Sequence, residues 1–140
     1  MVLIRAAGAV QVIVSSDHLS VDFFFSAGSF TDITAFQSMC LDLPPGSDLY
    51  GDKGYADYEL EDLYAECEGI RLEIPRKSNS LRPDAAWDVF LKEHFRKPIE
   101  TVFSEVTNLF GRTIHAVIAQ GFLLKVFLFL FAFTIDGCLK

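Results

Sequence analysis

Two alternating apolar runs, four polar residues apart, oblige the first part of this chain to form a β-hairpin. Residues 10–14 read VQVIV, a β-branched run suited to a pleated strand. Residues 19–26 read LSVDFFFS and put Leu19, Val21, Phe23 and Phe25 at alternate positions. Between them Ser15-Ser16-Asp17-His18 supplies the turn. Such a hairpin has an apolar face that the rest of the chain must cover.

The remaining pattern alternates helix and strand. Ala27-Gly28-Ser29 closes the hairpin, and Thr31 or Asp32 caps a short helix running to Met39 or Cys40. Leu43-Pro44-Pro45-Gly46-Ser47 is a loop, and Asp48-Leu49-Tyr50 is a short strand ending at Gly51-Asp52. A helix is expected over 57–68, stopped by Gly69, with an acidic face that reads as solvated. Residues 70–74 (IRLEI) alternate as a strand, and the basic, turn-rich segment 76–83 reads as a mobile loop. Residues 87–95 read as helical, with Trp87 and the phenylalanines assigned to the core, and a separate helix starts near Pro98. Its stripe is Ile99, Phe103, Val106 and Phe110, with Glu100 beside it. The expected class is α/β, a mixed sheet flanked by helices in one domain over 1–140.

Residues 121–135 (GFLLKVFLFLFAFTI) are strongly apolar but interrupted by Lys125. They fall short of the roughly 18–20 apolar residues of a spanning helix, so a buried terminal helix and no membrane are expected. The apolar run after Arg5 lacks a cleavage site, so it does not read as a signal peptide. Cys40, Cys67 and Cys138 are widely spaced with no nearby histidine partners, which gives poor support to a zinc or disulfide framework and makes reduced thiols in a cytosolic protein the default.

A net charge of −7 argues against a simple nucleic-acid binder, but the charge is unevenly spread. Residues 1–70 hold two basic and twelve acidic side chains, whereas residues 71–112 hold eight basic and six acidic. A polyanion would meet the second region, at Arg76, Lys77, Arg96 and Lys97 together with Lys53.

Two acids stand where chemistry is possible. Asp52 leaves a strand at its carboxyl end, where α/β proteins place ligands, between Gly51 and Gly54. Glu100 follows Arg96 by one helical turn. On spacing alone Asp52 is a turn aspartate capping the next segment, and Glu100 pairs with Arg96 for about 0.3–0.5 kcal/mol.

Several pieces in order add to this reading. They are Val21-Asp22-Phe23-Phe24, Leu43-Pro44-Pro45-Gly46-Ser47, Leu49-Tyr50-Gly51-Asp52-Lys53-Gly54-Tyr55, Ile70-Arg71-Leu72 into Pro75-Arg76-Lys77, and Ile99-Glu100-Thr101-Val102-Phe103-Ser104. With the phenylalanine-rich end, the chain resembles the C-terminal part of DDE-type insertion-sequence transposases. The resemblance implies a ribonuclease H-like fold, incomplete at the N-terminus. It makes Asp52 and Glu100 the second and third metal-binding, catalytic acids, with Mg²⁺ or Mn²⁺ as cofactor. It implies metal-assisted cleavage and transfer of DNA at transposon ends, in the bacterial cytoplasm at the nucleoid.

The chain departs from the family in three ways. The family's first acid sits on the first strand of the fold, yet no Asp or Glu precedes Asp17. Glu93 and Thr107 stand where the wider family carries a tyrosine and a lysine. The N-terminal DNA-binding region is not in this sequence. The expectation is a truncated transposase, inactive alone, completed by a homo-oligomer or a separate N-terminal part. The alternatives are a non-catalytic DNA- or partner-binding remnant and a chain anchored through its apolar end.

Overall fold

The computed structural model describes residues 1–6, 10–17, 19–26, 29–110 and 115–140, with backbone alone at 2–6, 98–100, 102–103, 105–107 and 109–110. Among these residues five strands form one sheet in the order β3-β2-β1-β4-β5. β1 is Val2–Ala6, β2 Val10–Val14, β3 Ser20–Phe25, β4 Asp48–Tyr50 and β5 Arg71–Glu73. β1, β2 and β3 are antiparallel neighbours, while β4 runs parallel to both β1 and β5. The chain is therefore mixed α/β, as expected.

The hairpin read from the sequence is β2–β3, with Val12 opposite Phe23 and a register shift between Ile13 and Val14. β1 was not anticipated. It pairs along its length with β2, from Val2–Val14 to Ala6–Val10, and touches β4 at Val2–Tyr50. It is the central strand, and it joins the antiparallel half of the sheet to the parallel half.

Alternation along β2 sends side chains to two cores. Ile13 joins Phe36, Met39, Leu43, Leu49, Tyr55, Ile70, Leu72 and Ile74 on one face. Val10, Val12 and Val14 join Val126, Leu130 and Phe133 on the other. The first face is covered by α1 (Asp32–Gln37) and α2 (Tyr58–Leu63). Thr31 caps α1 as expected, accepting from Thr34 N, but the helix stops at Gln37 rather than Met39 or Cys40. α2 continues as a π-helical turn over Tyr64–Glu68 and ends at Gly69. Gly69 is left-handed at φ 66°, a conformation that glycine adopts without cost.

Two helices differ from expectation. α3 is one helix, Ala86–Phe110, running through Pro98 rather than starting there. α4 spans Ala119–Leu139, longer than the apolar run alone, and is long and apolar enough to cross a membrane by length and composition. It is not wholly buried. Val126, Leu130 and Phe133 pack on the sheet, while Leu124, Leu128, Phe131 and Ile135 face outward.

Trp87 and its neighbours are also not core. Trp87 is 66% exposed, and Phe90 and Phe95 are exposed beside it. Trp87 stacks on Phe90, and Phe90 on His94, along the outer face of α3. The side of this helix toward the sheet carries Lys92 and Arg96, with Phe95 against Tyr50 of β4 at 4.8 Å.

Candidate functional site

β4 and β5 are parallel and in register, with Tyr50 opposite Glu73, so both release the chain on one side of the sheet. There β4 yields Gly51-Asp52 and β5 yields Ile74-Pro75-Arg76. A Cβ on Gly51 would lie 2.8 Å from Ile74 Cδ1, so a larger residue there would push the tip of the Ile74 side chain aside. α3 passes beside these ends and presents Lys92 and Arg96, four residues apart, on one face, with position 100 one turn further along its backbone.

Asp52 and Arg96 meet. Arg96 Nη2 lies 3.5 Å from Asp52 Oδ1, and both side chains are partly open to solvent. The same Asp52 oxygen accepts from Lys53 N at 2.7 Å, capping the 3-10 turn Lys53–Tyr55. The capping role read from the sequence and the candidate site therefore share one carboxylate. Glu100 is placed by the helix backbone one turn beyond Arg96, and its side chain lies outside the described residues.

One turn before Arg96, Lys92 is buried, which the sequence reading missed. Its ammonium donates to Asp84 Oδ1 at 2.6 Å and to the Ile74 carbonyl at 3.1 Å, with Glu73 Oε2 at 3.6 Å. Arg76 continues the network by donating twice to the buried Glu61 carboxylate, at 2.7 and 2.5 Å. The hydrogen bonds it donates to Glu61 hold the Arg76 guanidinium charged more firmly than usual, although burial acts the other way. Acids and bases alternate through Glu61, Arg76, Asp84, Lys92 and Glu73 at the carboxyl end of β5. The signal for Lys92 was its position four residues before Arg96.

These contacts correct two expectations. Segment 76–83 is not a free loop, because Arg76 and Arg82 clamp it to α2. Arg82 donates to both Asp62 oxygens, at 2.8 and 2.9 Å, and this bond pulls the Asp62 pKa below its ordinary value. Nor is the acidic face of α2 simply solvated, since Glu61 and Asp62 hold those arginines. The two charge runs are complementary, which neither shows alone. Tyr58 lies between the two guanidiniums, 5.1 Å from Arg76 Cζ and 4.9 Å from Arg82 Cζ.

Of the basic residues expected to face a polyanion, Lys53, Lys77 and Lys97 are exposed. Arg96 is shared with Asp52, and Arg76 is largely buried against Glu61. Among the described residues, no group of three or more His, Cys, Asp or Glu is close enough to hold a metal ion. Counting on from the Val2–Tyr50 pair, the β1 position level with Asp52 is Ile4, which supplies no carboxylate.

Compared with family profiles, curated proteins and solved structures, the chain matches none.

Proposed function

We propose that this chain is the C-terminal part of a DDE-type transposase catalytic domain with a ribonuclease H-like fold, and that it binds DNA without cutting it. The observation that carries the reading is the contact between Arg96 and Asp52. It brings the Tyr50-Gly51-Asp52 piece and the Arg96–Glu100 piece to the same end of the sheet, although 44 residues separate them in sequence. A central β1 beside β4 suits the fold as well, since the family's first acid belongs on that strand.

The residues present do not fit a pair of divalent ions. Asp52 faces a guanidinium, and the β1 position level with it is apolar. Two ions held close together need several carboxylates to offset their mutual repulsion. The reading is therefore of a chain that contributes to transposition, in the cytoplasm at the nucleoid, only when a missing acid comes from elsewhere. Alone it acts as a DNA-binding remnant through Lys53, Lys77 and Lys97.

Duplex-DNA binding followed by fluorescence anisotropy over a salt series tests this. Three phosphate contacts give a log–log salt slope of about −2.7. Lys53→Gln with Lys97→Gln cuts that slope to roughly a third. Supercoiled DNA stays intact with Mg²⁺ or Mn²⁺, in wild type and in Glu100→Gln alike. Absence of binding at low salt would sink the reading, and so would nicking that Glu100→Gln abolishes.

A further inference from the structure

Between residues 56–58 and residues 76–81 lies a cavity of about 320 Å³, at the lower end of the range for small-molecule sites. Its frame is fixed by contacts within the chain. Arg76 and Arg82 tie the segment to Glu61 and Asp62. Ser80 Oγ and Tyr58 Oη are 2.5 Å apart, and Leu81 N donates to the same phenol oxygen at 3.2 Å. The Asp57 carboxylate is engaged as well, accepting from Glu59 N, Leu60 N and Gln37 Nε2.

Three lining groups are left over. Lys77 and Asn79 are exposed, and neither side chain has a hydrogen-bond or ionic partner among the described residues. Leu81 is 88% exposed, an apolar side chain lining a polar cavity. Lining cations outnumber acids, Arg76 and Lys77 against Asp57, in a chain whose net charge is −7.

A ligand that uses all three groups needs an anion for the ammonium, a donor beside an acceptor for the amide, and a flat body to cover the leucine. A nucleotide carries these parts in one molecule. Lysine binds phosphate as a point charge. A carboxamide matches the N6 and N7 edge of adenine in a bidentate pair. Inorganic phosphate or a simple carboxylate would engage Lys77 alone and leave most of the volume to water. We propose that this cavity binds one adenine nucleotide, with the phosphate at Lys77, the base edge at Asn79 and Leu81 against the ring. The nucleotide comes either free or as an unpaired residue of a DNA strand, and the recognition chemistry is the same. The inference shares Lys77 with the DNA-binding reading and otherwise stands apart from it.

Titration of the isotope-labelled whole chain with deoxyadenosine monophosphate, followed by amide chemical shifts, tests this. Shifts should concentrate at residues 56–58 and 77–81, with a Kd of about 1 mM or tighter. Asn79→Ala should weaken binding roughly tenfold, and Lys77→Gln by a similar factor. Both positions are exposed, so both variants should keep the wild-type spectrum elsewhere. A short oligodeoxyadenylate that shifts the same amides while the mononucleotide does not identifies a DNA strand as the source. Silence of both ligands at these residues overturns the proposal. Indifference to both substitutions overturns it too, as does displacement of the mononucleotide by an equal concentration of inorganic phosphate. Duplex binding without ligand shifts at 77–81 sinks this inference alone, whereas shifts there without duplex binding sink only the DNA-binding reading.

Discussion

Arg96 reaches Asp52 from the side of α3, at 3.5 Å. The contact joins the end of β4 to the helix that bears Glu100.

On the proposed reading, an acid placed on β1 should create a metal site beside Asp52. Ile4 is level with Asp52 by register, so Ile4→Asp adds the missing charge. Mn²⁺ affinity, read by titration calorimetry, is expected to rise at least about tenfold over wild type, because affinity follows ligand charge. Asp52→Asn in the same background should remove the gain. Equal affinities in wild type and Ile4→Asp would contradict the placement.

The Glu61–Arg76 pair should behave as a buried ion pair. Both side chains are largely withdrawn from water, at 8 and 14% exposure. Arg76→Met strands the Glu61 carboxylate and should cost about 3 kcal/mol in urea unfolding. Arg76→Met combined with Glu61→Leu should recover most of that loss, since two apolar groups leave no charge unpaired.

Three tyrosines should ionise in a set order. Tyr58 is shifted down, first by its hydrogen bond with Ser80 at 2.5 Å and also by Leu81 N and the nearby Arg76. Tyr50 and Tyr64 are shifted up, chiefly by burial. For Tyr58 the folded pKa lies below the unfolded value, so its contribution to stability is present above pH 10 and lost as pH falls through the folded pKa. For Tyr50 and Tyr64 the sign reverses, and stability declines as pH rises past 10. Absorbance at the phenolate band should show an early step that Tyr58→Phe deletes. Loss of the late steps instead would reverse the assignment.

Gln11 should be replaceable at a profit in stability. It is fully buried on β2, and its amide nitrogen and oxygen have no hydrogen-bond partner among the described residues. An unpaired buried amide costs about 1–3 kcal/mol. Gln11→Leu should raise the urea midpoint, corresponding to a gain of about 1 kcal/mol. A lower midpoint would mean that the amide is satisfied in solution.

The elements legible in the sequence were those with local signals. The β2–β3 hairpin, the Thr31 cap and the Gly69 stop each rest on residues that determine their own backbone. β1 was missed because Val2–Ala6 (VLIRA) has no apolar–polar alternation of its own and is a strand through its neighbours. Pro98 read as a helix start because proline in a helix interior costs about 3 kcal/mol, yet tertiary contacts such as Lys92 to Asp84 and Arg96 to Asp52 hold α3 to the sheet through its first half. Trp87 was assigned to the core on type alone, and which face of α3 meets the sheet decided otherwise. At the site, Asp52 and Arg96 were named from the resemblance and do meet. Lys92, Asp84 and Glu61 were not named, because a buried charge network is a property of pairs distant in sequence.

The central position of β1 has a consequence for synthesis on the ribosome. β1, β2 and β3 can form a meander once about the first 25 residues have emerged, since antiparallel neighbours need only short turns. The other edge of β1 waits for β4, whose Tyr50 N–H donates to the Met1 carbonyl at 2.8 Å. Until then the strand that ends in the middle of the sheet is an open edge, available to any other extended segment. β1 thus keeps one edge open until β4 follows it, and the nascent chain is exposed to mispairing for that whole interval.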